Sequence, residues 1–202
     1  MLEWVTAAVV GYLLGSIPVG FLVAKSRGLD IRKFGSGATG GTNVLRTVGV
    51  VPAIITGVSD LLKGLLGAYI GGLIGGEWGY AIGGFFAIVG HSYPVWLKFK
   101  GGKSVATGAG SLILYHPLAF LAGLTAAIAV IIPTRWVSLG SLVGALVYPG
   151  SVFLSPDAPP AHKALALGAA LIVWVRHWEN IKRIAAGTEN RLGQKAKPRE
   201  GT

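Results

Sequence analysis

Three stretches of this 202-residue chain carry side chains suited to holding anionic groups. The most conspicuous is Lys98-Phe99-Lys100-Gly101-Gly102-Lys103-Ser104-Val105-Ala106-Thr107-Gly108, which lies between strongly apolar segments. Lys98, Lys100 and Lys103 put ammonium groups where charge is costly unless it meets water or an anionic ligand. Gly101 and Gly102 let a backbone come close to a bound group. A helix beginning near Ser104 would aim its first N–H groups at the same spot, and helix starts attract phosphates and carboxylates. The stretch reads as an anion cradle at a membrane face.

The second stretch runs from Gly35 to Arg46 and sets Ser36, Thr39, Thr42 and Asn43 among glycines. Arg46 adds a planar fork that matches phosphate. A flexible interfacial loop with Arg46 on lipid phosphate is the bland alternative, and it leaves so many hydrogen-bonding side chains without a purpose. The third runs from Arg176 to Glu189. On a helix His177 and Asn180 share a face, with Arg176 and Arg183 near Asn180. An amphipathic helix lying on anionic lipid suits Trp178 and Lys182. It accounts less well for a titratable His177 beside Asn180. Asp60 and Lys63, three residues apart in an apolar run, read as an internal ion pair.

Several chemistries are excluded. Leu97 stands where a phosphate-binding Gly-x-x-x-x-Gly-Lys-Ser loop needs glycine, so Gly102-Lys103-Ser104 is not one. No histidine is followed at the fifth position by aspartate, the pairing of common soluble and peripheral glycerolipid acyltransferases. No Gly-x-Ser-x-Gly elbow and no carboxylate cluster for metal-assisted transfer is present. The chain has no cysteine, and His91, His116, His162 and His177 are not at zinc-ligand spacing. No metal or cofactor is expected.

The elements that position these stretches are membrane helices. Apolar residues make up 52% of the chain, charged residues 13% and the mean hydropathy is +0.62; soluble domains carry about 25% charged residues. Glu3 precedes the first apolar run, which lacks the basic start of a cleaved leader. Apolar runs cover about 4–24, 50–75, 80–97, 104–115, 118–133, 137–154 and 164–175. The run 104–115 is short of the roughly 20 residues that a span needs. Counting it as a crossing gathers nearly all of the basic loops on one face, and excess Lys and Arg mark the cytoplasmic face. The expected fold is therefore an all-α integral membrane protein of about seven transmembrane helices. Its amino terminus is outside and its carboxyl terminus cytoplasmic. Residues 1–193 form one polytopic domain and 194–202 a basic tail with no folding signal of its own. The net charge of +10 sits at the ends of apolar spans, which points to anionic lipid or substrate and away from nucleic acid.

Together, the three stretches resemble the bacterial acyl-phosphate–glycerol-3-phosphate acyltransferase family, PlsY. The resemblance rests on Gly35-Ser36-Gly37 through Thr42-Asn43-Val44 and Arg46; on Gly90-His91, Pro94, Lys100-Gly101-Gly102-Lys103 and Ala106-Thr107; and on Arg176-His177, Glu179-Asn180-Ile181 and Gly187-Thr188-Glu189. Asp60 with Lys63-Gly64, and Arg135 with Val137-Ser138-Leu139, match further segments. Ala38 and Gly41 depart from the family's frequent asparagine and alanine, so Ala38 is given no role.

The resemblance implies transfer of a fatty acyl group from acyl-phosphate to the 1-hydroxyl of glycerol 3-phosphate, giving lysophosphatidic acid and phosphate. It implies a bacterial inner-membrane enzyme whose site faces the cytoplasm, without a cofactor, supplied by a separate phosphate acyltransferase. It also implies site roles: Lys103, Ser138, His177 and Asn180 on glycerol 3-phosphate, with Gly101, Gly102 and Ser104 shaping that site. Ser36, Gly37, Thr42, Asn43 and Arg46 hold the acyl-phosphate. His177, Asn180, Ser36 and Arg46 make up the expected catalytic set, and Glu189 supports the third stretch. The proton acceptor is either His177 or a substrate phosphate oxygen. Two other classes stand beside the enzyme. A membrane carrier for a phosphorylated small molecule or lipid suits intramembrane Asp60 and Lys63; a lipid-gripping scaffold leaves Asn43, Ser138, His177 and Asn180 unexplained.

Overall fold

A computed structural model describes residues 1–199. The final three residues of the expected tail lie outside the described residues. Helices α1 (Leu2–Ser16), α2 (Val19–Lys25), α3 (Gly41–Thr47), α4 (Val50–Ser92), α5 (Val105–Leu112), α6 (Pro117–Thr134), α7 (Val137–Leu154), α8 (Pro160–Arg176) and α9 (Trp178–Ala185) follow in order. Among the described residues there is no named strand; Phe34 and Pro198 form one isolated antiparallel bridge. Among the described residues, four helical stretches are long and apolar enough to cross a membrane: Leu2–Lys25, Val50–Leu97, Pro117–Thr134 and Val137–Leu154. Large apolar side chains such as Leu13, Val58, Leu73, Leu121, Ile132 and Leu146 point outward from them, as Leu171 does from α8.

The 43-residue α4 is a hairpin. Gly75 (φ −139°, ψ 26°) and Gly76 (φ 62°, ψ −150°) break the helix and reverse the chain. Positive φ at Gly76 is open to glycine and strained for other residues. The limbs 50–74 and 77–92 then pack backbone to backbone. A Cβ added to Gly71 would strike the Gly79 carbonyl, and one on Gly83 the Gly67 carbonyl. Small residues at four-residue steps permit that approach and the dispersion contacts that come with it. Helix α1 runs parallel to the second limb, where Gly11 meets Gly83 and Gly15 meets Ala87. The limb ends at Ser92 and not at Leu97, because Pro94 biases the residue before it away from helix.

Helix α5 covers eight residues, shorter than the apolar run 104–115 that contains it. Its surroundings compensate. At one end the Ser104 and Ser92 hydroxyls lie 2.7 Å apart, and at the other the Tyr115 ring meets Tyr80 edge-on at 4.8 Å. The segment thus lies alongside the second limb of α4 for nearly that limb's length, between it and α8. Helices α6 and α7 form another hairpin, with Gly123 against Tyr148 and Gly140 against Ala127. Helix α8 starts where His162 lies 2.8 Å from Glu77 and 3.0 Å from His116. It ends where Arg176 donates to the carbonyls of Gly101 and Gly102. Residues 26–47, 93–104, 135–138 and 177–199 accordingly share one end of the bundle.

Between α1 and the two limbs of α4, Asp60 Oδ1 lies 2.9 Å from Lys63 Nζ and 3.2 Å from His91 Nδ1. Lys63 also donates to the Ile17 carbonyl at 3.2 Å. That carbonyl lacks an ordinary helical partner because the chain breaks at Pro18 between α1 and α2.

Candidate active site

The third stretch builds around a buried carboxylate. Arg176 closes α8, His177 turns the chain into α9, and Gly187 (φ 69°) turns it back so that Glu189 lies beneath α9. Glu189 Oε1 accepts from Asn180 Nδ2 at 2.8 Å and from Ser138 Oγ at 3.0 Å; Oε2 accepts from Arg183 Nε at 2.8 Å. With its amide nitrogen committed, Asn180 presents Oδ1 to Lys103 Nζ, which donates to it. One chain of contacts therefore joins α7, α9 and the glycine loop before α5.

Two titrations are set by this arrangement. Burial lowers the Lys103 pKa from 10.5 to about 8; Glu189 opposes the drop, while Arg183, Arg46 and Arg176 add to it. His177 falls from 6.5 to about 4, first through burial and then through the nearby Lys103 charge. Its Nδ1 lies 2.7 Å from the Val173 carbonyl. A carbonyl can only accept, so Nδ1 carries the hydrogen. Nε2 keeps its lone pair, the arrangement a general base needs.

The glycine loop is held on both sides. Gly101 N–H donates to the Ser92 carbonyl at 3.2 Å and Gly102 N–H to the His91 carbonyl at 3.0 Å. Arg176 stacks over the Tyr93 ring at 5.0 Å while it binds the glycine carbonyls. A side chain at Gly102 would run into the His91 imidazole. These two N–H groups are thus committed to the fold, and the cationic face of the loop comes from Lys103 and Lys100, while Lys98 is exposed. Ser104 is also an anchor: it is buried, and its hydroxyl donates to the Ile88 carbonyl at 2.8 Å.

In the first stretch Asn43 organises the loop above α3. Its Nδ2 lies within hydrogen-bond reach of the carbonyls of Ala38, Phe34 and Ile31 at 2.9, 3.1 and 3.3 Å. Its Oδ1 accepts from Ser36 N–H at 3.4 Å. Ser36 Oγ in turn accepts from Ala38 N–H at 3.4 Å. Arg46 Nη2 donates to the Asn190 carbonyl at 3.0 Å, while its buried Nε has no protein partner among the described residues. Thr42 lies on the same wall.

Two adjoining cavities collect these groups. One, of about 570 Å³, is lined by Ser36, Gly37, Gly101, Lys103, Arg176 and Asn180. The other, of about 420 Å³, is lined by Ser36, Thr42, Arg46, Lys103, Ser138 and His177. Behind the second, an apolar cavity of about 230 Å³ runs between α5, α6, α7 and α8, past Phe120, Leu124, Ile131 and Tyr148. The structure therefore brings residues of all three stretches to one place, with Asn43 and Ser104 acting through the backbone they hold; Lys98 and Thr39 line neither cavity. Among the described residues, no group of three His, Cys, Asp or Glu side chains is disposed to hold a metal ion. Two features were not legible beforehand. Arg176 tethers the glycine loop, and the segment after Gly193 lies along the first stretch, with Arg199 on the wall of the larger cavity. The latter segment has no helical or strand periodicity that could have announced it.

Comparison with known proteins agrees with this layout. Residues 5–187 match the family described as glycerol-3-phosphate acyltransferase. A glycerol-3-phosphate acyltransferase of Symbiobacterium thermophilum is 58% identical over 199 residues, covering 98% of this chain and 100% of that one. Glycerol-3-phosphate acyltransferase 1 of Deinococcus radiodurans is 42% identical over 191 residues, covering 94% and 96%. Crystal structures of PlsY (YgiH), an integral membrane glycerol 3-phosphate acyltransferase, superpose with TM-scores of 0.89 for the glycerol 3-phosphate form and 0.86 for the lysophosphatidic acid form. Each is 33% identical; the alignments cover 94% of this chain and 96% or 95% of the other. The chain belongs to the glycerol-3-phosphate acyltransferase family, PlsY, and is an integral membrane acyltransferase.

Proposed function

We propose that this protein moves a fatty acyl group from acyl-phosphate to the 1-hydroxyl of glycerol 3-phosphate, releasing phosphate and lysophosphatidic acid. The observation that carries the reading is the meeting of a cationic double cavity with an apolar one, which share Phe120 and Leu124, with His177 and its unprotonated Nε2 on the wall of the cationic cavity that meets the apolar one. Both reactants are phosphates and one carries a tail; the site offers space of each kind. The names of the solved PlsY forms, with glycerol 3-phosphate and lysophosphatidic acid, agree with an acceptor and product of this class.

In this mechanism Lys103, Asn180 and Ser138 hold glycerol 3-phosphate, while Ser36, Thr42 and Arg46 hold the acyl-phosphate. The acceptor's 1-hydroxyl oxygen attacks the acyl carbonyl carbon. Its proton passes to His177 Nε2 or to a substrate phosphate oxygen. The carbonyl oxygen gathers negative charge, which the Arg46 guanidinium and the Ser36 hydroxyl stabilise. Collapse breaks the bond from the acyl carbon to the phosphate oxygen, and phosphate leaves. A mixed anhydride has a good leaving group, so positioning and charge stabilisation supply most of what the step needs. Glu189 positions Asn180, Ser138 and Arg183 without touching substrate.

The protein carries this out from the inner membrane, through seven crossings, with its amino terminus outside and its site and carboxyl terminus in the cytoplasm. Residues 1–193 act as one domain, and a separate phosphate acyltransferase supplies the donor. The basic ends of the segments at the site's end of the bundle support that orientation. Purified protein in detergent, given palmitoyl-phosphate and glycerol 3-phosphate, is expected to release phosphate and form lysophosphatidic acid. His177→Ala should lower turnover by roughly 10²–10⁴-fold if the imidazole is the base, with the protein still folded. No lysophosphatidic acid from the wild type would reject the function. A wild-type rate in the variant would assign the proton to the substrate phosphate.

A further inference from the structure

Residues 194–199 lie beyond the part of the chain that matches the family, yet they are laid along the first stretch. The Leu192 N–H donates to the Arg135 carbonyl at 2.6 Å and fixes the start of the segment. Ala196 N–H then donates to the Arg46 carbonyl at 3.0 Å, Gly35 N–H to the Lys197 carbonyl at 2.9 Å, and Arg199 N–H to the Lys33 carbonyl at 2.9 Å. Phe34 and Pro198 pair antiparallel between them. The result places the Arg199 guanidinium against Gly37, where any side chain would strike it. Arg199 thereby lines the larger cavity together with Ser36, Lys103 and Asn180.

We infer that Arg199 is a further substrate-binding residue, which donates to the phosphate of the acyl donor and is delivered by the carboxyl-terminal segment. The inference rests on the function proposed above. The donor is favoured over glycerol 3-phosphate because every backbone bond of residues 196–199 named here ends on residues 33–46. That stretch carries Ser36 and Gly37, which share Arg199's cavity, and Thr42 and Arg46, which line the adjoining one. A guanidinium offers two parallel N–H donors to phosphate oxygens, so its contribution depends on shape as well as charge. The backbone bonds to Gly35 and Arg46 add a second effect: the segment holds the loop on which the other donor-binding groups stand.

The test uses full-length protein in detergent and a non-transferable acyl phosphonate as the donor analogue. Arg199→Gln should weaken phosphonate binding about tenfold, the size of one charge-assisted contact, and raise KM for palmitoyl-phosphate by a similar factor. The dissociation constant and KM for glycerol 3-phosphate should stay within about twofold. Arg199→Lys should recover part of the loss. Lys195→Gln removes the same charge from a tail position off this cavity, and should leave both constants unchanged. Equal phosphonate binding in wild type and Arg199→Gln overturns the inference. So does a loss confined to glycerol 3-phosphate, or an equal loss in Lys195→Gln, which would mark unspecific attraction. A wild type that binds no phosphonate overturns the proposed donor and the inference with it.

Discussion

Lys103 makes the site testable through a single proton. Burial brings its pKa from 10.5 to about 8, with Glu189 opposing and three arginines assisting. At about 1.36 kcal/mol per unit, the site charges roughly 3 kcal/mol for keeping that ammonium in the absence of ligand. The group is nevertheless cationic at pH 7 and becomes neutral as pH rises through about 8. Because kcat/KM reports the free enzyme, its value for glycerol 3-phosphate should fall roughly tenfold per unit once pH exceeds 8. Unfolding does not produce the same limb by this group. Between about 8 and 10.5 the unfolded chain holds the extra proton, so stability linked to Lys103 rises with pH there. Lys103→Arg keeps its charge throughout and should lose the alkaline limb, at a lower rate because a fork replaces a point charge. The assay is phosphate release from palmitoyl-phosphate between pH 6.5 and 9.5, corrected for spontaneous hydrolysis of the donor. A flat profile to pH 9.5, or an identical limb in the arginine variant, refutes the assignment of Lys103 to the acceptor.

Glu189→Ala removes the acceptor for Asn180, Ser138 and Arg183. It should cost about 3 kcal/mol, the low end for a broken buried pair because Arg183 is partly exposed. Glu189→Gln should retain part of that; equal melting temperatures in detergent for all three proteins would show that the carboxylate holds nothing. Gly102→Ala drives a methyl into the His91 ring and should reduce kcat/KM about 10²-fold by displacing Lys103. Gly150→Ala, where a Cβ meets nothing within 4 Å, is its control, and matching rates in the two would rule the loop contact unimportant. Ala170→Phe fills part of the apolar cavity; the preference for sixteen-carbon over eight-carbon acyl-phosphate should fall at least tenfold. An unchanged ratio in a chain-length competition would place the tail elsewhere.

That the chain is an all-helical membrane protein was legible because the causes are local. A run of apolar residues and a cluster of lysines each act over one segment, and together they assign α5 to the bundle despite its eight residues. Partners were less legible than identities. Asn43 reads from its neighbours as one more phosphate donor, and only the folded loop shows its amide turned inward to three carbonyls. The same holds for the N–H groups of Gly101 and Gly102, whose acceptors belong to the end of α4. Ser138 is one of three serines in an apolar helix, a pattern that more often means a helix–helix contact. It entered through family resemblance, and the structure shows its link to Glu189 across 51 residues.

The physical reason is that helices crossing a bilayer satisfy their own backbones, so their side chains determine which of them meet. Here glycines make that selection: Gly64 against Thr107 and Gly110 against Leu61 seat α5 on the first limb of α4. That contact brings the loop before α5 to the end of the bundle where Asn180 and Glu189 wait. A polar residue's type can therefore be read from the chain, while its partner depends on contacts between small residues far from it. The carboxyl-terminal segment is the extreme case. It has neither apolar period nor glycine repeat, and its placement rests on backbone bonds to Lys33, Gly35 and Arg46 that any sequence could supply.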